Sequence, residues 1–148
     1  MENMDNFTSL IKEMTEFFDA FQLIEKNKLQ AAASNDILEL EELMKKEQAE
    51  ILVLRGFERK QQEIQAQMGC QGLTFKEIIA KAPESDRPEL ENVYSRLSDS
   101  LDLFQKTTQS VKQAIDINLH AIQKALQKVE KKEISQTKEV RSFTSRKV

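Results

Sequence analysis

Between Glu89 and Lys132, apolar or small residues recur in alternating steps of four and three: Leu90, Tyr94, Leu97, Leu101, Phe104, Thr108, Val111, Ile115, Asn118, Ile122, Ala125 and Val129. An average step of 3.5 residues marks a helix that holds one continuous seam against other helices. No Pro or Gly interrupts the run, and at about 1.5 Å per residue it spans roughly 65 Å. A helix of that length does not fit inside a compact globule. The rest of the chain is therefore expected to be built along it.

The composition agrees with this. Charged residues make up 32% of the 148 residues and aromatics 6%, with no Trp, three Gly and two Pro. Such a chain makes long amphipathic helices rather than strands joined by turns. The lone cysteine, Cys70, has no partner within the chain, which points to a reducing compartment. The stretch from Met1 to Leu10 lacks the basic and apolar runs of a signal peptide, and no apolar stretch is long enough to span a membrane. A cytoplasmic protein is expected, without stable membrane insertion. Residues 124–148 carry eight Lys and Arg against three Glu, a net +5, which leaves −8 on the rest of a chain whose total is −3. A basic end on an acidic body suggests a separate task for that end.

The expected fold is all-α: an elongated, coiled-coil-like antiparallel three-helix bundle with a short connector helix and a polar C-terminal tail. The first helix covers about 6–33, with Phe7, Leu10, Met14, Phe17, Phe21 and Ile24 on one stripe and Ile11 and Phe18 widening it. Ser34, Asn35 and Asp36 form a polar break of three N-cap residues. The second helix covers about 37–68, and Gly69 suits a left-handed C-cap. Within it Glu47 falls on the seam and is expected at an edge, while Gly56 suggests a bend. Thr74 and Glu77 form a capping box for a short helix over 75–82, which Pro83 stops. Pro88 opens the long helix, 88–132. These elements make one bundle domain over 1–132. The tail, 133–148, has too little apolar surface to order itself and is expected to be mobile.

Helix lengths point to a surface. The second helix can cover the last one only as far as about His120, yet Ile122, Leu126, Val129 and Ile134 keep apolar spacing beyond it. Uncovered apolar spacing on a basic helix end suggests a seat for another helix. Catalysis finds little support: there is no Gly-rich phosphate loop and no Ser/His/Asp set, and one His with one Cys cannot build a zinc site. No cofactor or metal is expected. Nucleic-acid binding is disfavoured by the acidic body. Two alternatives stay open: a structural coiled-coil adaptor that homodimerises through the seam, and a histidine phosphotransfer module using His120.

Glu25, Leu29, the break at Ser34–Asp36, Leu40, Leu43, Lys46–Glu47–Gln48, Leu52, Leu54, Glu58–Arg59 and Gly69, followed by a long last helix, follow a spacing that resembles FlgN-type flagellar export chaperones. The resemblance implies a chaperone, not an enzyme. It would bind hook-associated (hook–filament junction) proteins by their C-terminal helical ends, prevent premature assembly, and meet components of the export gate or its ATPase. It also places substrate contacts in the C-terminal part of the chain. Here these would be Ile122, Leu126, Val129 and Ile134, with Val140 and Phe143 added if the tail folds on binding, and with Lys128, Lys131 and Lys132 steering an acidic partner.

Overall fold

The first helix has a double-width apolar face, and the bundle is assembled around it. In the structure, a computed structural model that describes residues 2–118 and 138–144, α1 (Glu2–Ala33) is followed by α2 (Ile37–Gln67), α3 (Phe75–Lys81), α4 (Arg87–Ile117) and a helical stretch, α5, described over 138–144. Among the described residues there is no strand. Adjacent positions on α1 are buried in pairs, as at Leu10–Ile11, Phe17–Phe18 and Ala31–Ala32. Such pairs widen a helix stripe enough to serve two neighbours at once. Accordingly α1 packs along both α2 and α4, whereas α2 and α4 do not pack closely on each other. The organising helix is thus α1 and not the last one. The α4 seam (Leu90, Val93, Leu97, Leu101, Phe104, Thr108, Val111, Ile115) is one residue wide along most of its length and packs chiefly on α1.

Polar pairs along the helices define their directions. Lys60 meets Glu13 at 2.9 Å and Lys28 meets Glu47 at 2.7 Å, so α2 returns antiparallel to α1. Lys12 meets Glu89 at 3.4 Å, Ser100 donates to Asp19 and Gln22 donates to Thr107, so α4 runs parallel to α1. At the far end Asn118 caps α4, and its Nδ2 donates to Ala32 O at 3.1 Å, tying the two helix ends level. The expected continuation of this helix to Lys132 falls on residues outside those described.

The turns follow local chemistry. Asp36 alone of the three polar residues is the N-cap, accepting from Glu39 N–H. Asn35 instead takes φ 56°, with Asn35 N–H donating to Ala32 O and Asp36 N–H to Ala31 O. Those two bonds close α1 as a Schellman motif with Asn in the left-handed position. Gly69 does the same for α2 at φ 69°, through Gly69 N–H to Ala66 O and Cys70 N–H to Gln65 O. The Thr74–Glu77 capping box is formed, and Pro88 lies in the first turn of α4. Arg87 then donates to Ala82 O and Ala80 O, satisfying carbonyls that the end of α3 leaves open. The first helix starts earlier than its sequence suggests, at Glu2. There Met4 packs on the core, and Asn3 Nδ2 reaches Gln67 O at the end of α2.

A polar layer crosses the interior. Toward the α3 end lies the larger apolar core, with Phe7, Phe18, Phe21, Leu54, Phe75, Leu97 and Phe104; toward the other end lies a smaller one of Ala31, Ala32, Leu40, Leu43, Val111 and Ile115. Between them Lys28 Nζ, fully buried, sits 2.7 Å from Glu47 and 3.4 Å from Glu25, both also buried. Glu47 is therefore interior and not at an edge, because a cation on α1 meets it. Burying three charges costs desolvation that their mutual attraction only partly offsets, but removing one partner strands the others. Lys28→Met is expected to destabilise the fold by roughly 3–5 kcal/mol. Adding Glu25→Leu and Glu47→Leu should recover most of it. Denaturant midpoints of the single and triple variants check this.

Val140 and Phe143 belong to the larger core, where the Phe143 ring lies 6.4 Å from that of Phe18. Their host helix is peripheral, so its detachment does not require the bundle to open. Phe18→Ala is expected to lower global stability by about 3–5 kcal/mol. Phe143→Ala should lower it much less and show chiefly as faster amide exchange in 138–144. An equal loss of global stability in both variants would mean that α5 belongs to the cooperative core.

Candidate functional site: a helix-lined cleft

Because α2 and α4 each pack on α1 and splay from one another, a cleft runs between them with α1 at its floor. The floor is apolar: Phe18 and Phe21 from α1, Ile51 from α2 and Phe104 from α4. Phe104 meets Phe18 edge-on at 5.6 Å and Phe21 at 4.7 Å, which stiffens the floor.

In this cleft lies α5. Its two buried side chains, Val140 and Phe143, are three residues apart and face the floor, as one turn of an amphipathic helix requires. Its polar side chains meet both rims. Arg55 Nε on α2 donates to Glu139 Oε1 at 2.6 Å, and that hydrogen bond, followed by the carboxylate's charge, holds the guanidinium above its ordinary pKa. On the α4 rim Arg141 donates to Gln109 at 3.4 Å and Gln105 donates to Thr144 at 3.1 Å. Filling is incomplete: a cavity of about 20 Å³ lies beside Val140, bounded by Phe21, Ile51, Phe104, Thr108 and the Glu25 and Glu47 side chains. That is room for one water molecule among polar partners.

Of the residues that the sequence marks as partner contacts, Val140 and Phe143 are thus brought together in the cleft. Ile122, Leu126, Val129, Ile134, Lys128, Lys131 and Lys132 lie outside the described residues, as does His120. Arg55, Gln105 and Gln109 escaped the sequence reading. Arg55 and Gln109 are exposed and Gln105 is half-buried, each an ordinary polar residue on its own helix, and only the packing of three helices lines them along one cleft. Cys70 is half-buried in the loop after α2, where its Sγ donates to Met68 O, and the buried Gln65 donates to Cys70 O and Leu73 O to hold that loop. Among the described residues no His/Cys/Asp/Glu group could hold a metal ion, and no helix is long and apolar enough to cross a membrane.

An all-α bundle with a helix-accepting cleft is suited to binding polypeptide. No curated protein and no solved structure matches the chain significantly. The profile of the family described as FlgN protein matches residues 1–137, nearly the full length. The chain belongs to the FlgN family of flagellar export chaperones.

Proposed function

We propose that this protein is a cytoplasmic chaperone that holds hook-associated proteins by their C-terminal helical ends, keeps them from assembling early, and hands them to the export gate or its ATPase components. It works by binding and carries out no catalysis. The observation that supports this most is the family match over 1–137. The length of α1 bears on where the partner sits. The α4 seam is matched by α1 as far as Asn118, beside the end of α1, and the same spacing continues in the sequence at Ile122, Leu126, Val129 and Ile134. These four residues are the proposed partner contacts. Lys128, Lys131 and Lys132 draw in an acidic helix, an attraction that salt should weaken. Val140 and Phe143 join this surface only when α5 leaves its cleft.

A second reading has one specific observation in its favour. On the outer face of α2, Leu52 and Val53 are exposed beside Gly56, where a Cβ would meet nothing within 4 Å. A second copy packing there would make the chain a homodimeric adaptor, and sedimentation across a hundredfold concentration range reads the difference.

The chaperone reading is tested by capture from a lysate of flagellated cells, comparing the full chain with one truncated after His120. The full chain should retain hook-associated proteins clearly more strongly than the truncated chain, which keeps the α1–α2–α4 cleft but lacks Ile122, Leu126, Val129 and Ile134. Within the full chain, Leu126→Asp with Val129→Asp should weaken binding of a purified hook-associated protein by about tenfold or more, since burying two carboxylates in an apolar contact is unfavourable, while leaving thermal unfolding unchanged. Equal capture by the full and truncated chains would move the contact onto the bundle.

A further inference from the structure

The element that fills the cleft is a weak occupant. Large apolar residues are sparse among the Lys, Arg, Ser and Thr of 135–148, so the helical stretch at 138–144 owes its order to docking. Its described residues contribute two buried side chains and rim contacts that lie largely at the surface, where ion pairs and hydrogen bonds add little. It also leaves about 20 Å³ unfilled beside Val140, and unfilled volume means contacts forgone. The cleft itself is well made: a stiff aromatic floor, a cation at Arg55 on one rim, and two amides, Gln105 and Gln109, on the other.

We propose that this cleft is a helix-docking site in its own right, occupied in the resting chain by α5 and in the loaded chain by an amphipathic helix of the exported partner. The chemistry of the occupant follows from what α5 already presents. It carries a carboxylate one residue ahead of the first of two apolar anchors spaced three apart. The carboxylate pairs with Arg55, whose side chain is 57% exposed and within reach of an incoming chain. The first anchor sits over the cavity beside Ile51, where a side chain larger than valine fits. A longer helix gains over α5 by adding turns along the same cleft. Exchange also releases Val140 and Phe143, so docking of the partner makes two further apolar side chains available to it. The identity of the partner rests on the chaperone reading above; the exchange itself does not.

Two full-length variants separate the parts. Glu139→Lys alters only α5 and sets two cations against each other; Arg55→Glu alters only the cleft. Both should speed amide exchange across 138–144. Two probes are then used: a fluorescent peptide of residues 134–148 of this chain, and a peptide of the C-terminal helix of a hook-associated protein. The first should bind the Glu139→Lys chain about tenfold more tightly than the unaltered one, because an occupied site lowers apparent affinity by the fraction that is closed. On the Arg55→Glu chain it should gain nothing, since that cleft has lost its cation. The hook-associated helix should displace the first peptide from the Glu139→Lys chain. Equal affinity of the first peptide for the unaltered and Glu139→Lys chains overturns the proposal, as does an equal gain on both variants. Binding of the hook-associated helix without displacement also overturns it and leaves the chaperone reading standing. No binding of that helix, with the behaviour of the first peptide intact, sinks the chaperone reading and the named occupant with it.

Discussion

Everything in this bundle depends on the width of the apolar face of α1. A helix with one narrow stripe can satisfy one neighbour, and two such helices make a pair. A helix with doubled buried positions, as at Leu10–Ile11 and Phe17–Phe18, must be covered from two directions. Helices α2 and α4 do this from opposite flanks, one antiparallel and one parallel to α1, and the cost is a cleft between them. The cleft floor is the part of α1 and its neighbours that two helices alone leave open. A third element has to lie there, and in this structure it is α5.

The buried charges act on the same frame in a different way. An apolar seam by itself tolerates slippage by a turn, because one Leu serves as well as another. Lys28 set between Glu25 and Glu47 does not tolerate it: shifting α2 along α1 by one turn would carry Glu47 away from Lys28 and leave its carboxylate buried without that cation, while the Lys28–Glu25 pair within α1 stays. The layer therefore gains pairing register between α1 and α2 more than it gains stability. It also separates the two apolar cores, so the α3 end and the α1–α2 turn end are packed as distinct units. Near the α3 end, buried Gln61 and Gln65 do similar work: Gln61 donates to Gln65, which in turn holds the loop carbonyls of Cys70 and Leu73.

In the proposed exchange, a frame of this kind joins a stable body to a replaceable occupant. The body is rigid because its aromatic contacts run between helices, as in Phe17–Phe57 and Phe7–Phe75. Over its described residues the occupant is held by two buried side chains, Val140 and Phe143, and polar rim contacts. Stability and the proposed exchange thus lie in different elements of one chain.

Much of this could be read directly from the residues. The 3.5-residue seam, the Thr74–Glu77 capping box, the stop at Gly69 and the break at 34–36 are local signals, each set by contacts within a few residues, and the structure forms the box, the stop, the break and the seam as far as Ile115 within a residue or a few of where they were read. Local periodicity also establishes that α1 and α4 each have an apolar side. It does not establish which helix is central, because that depends on how wide two stripes are relative to each other once packed; the longest seam misleads, and α1 takes the middle. Nor could Glu47 be placed inside from its own helix, since the cation that permits its burial lies nineteen residues earlier on a different one. The fate of Val140 and Phe143 was equally hidden. Two apolar residues in a basic segment cannot order it alone, and only a cleft assembled from three distant stretches of chain gives them somewhere to go. Helix boundaries and seams are decided by neighbours in sequence; burial of a charge and docking of α5 are decided by neighbours in space.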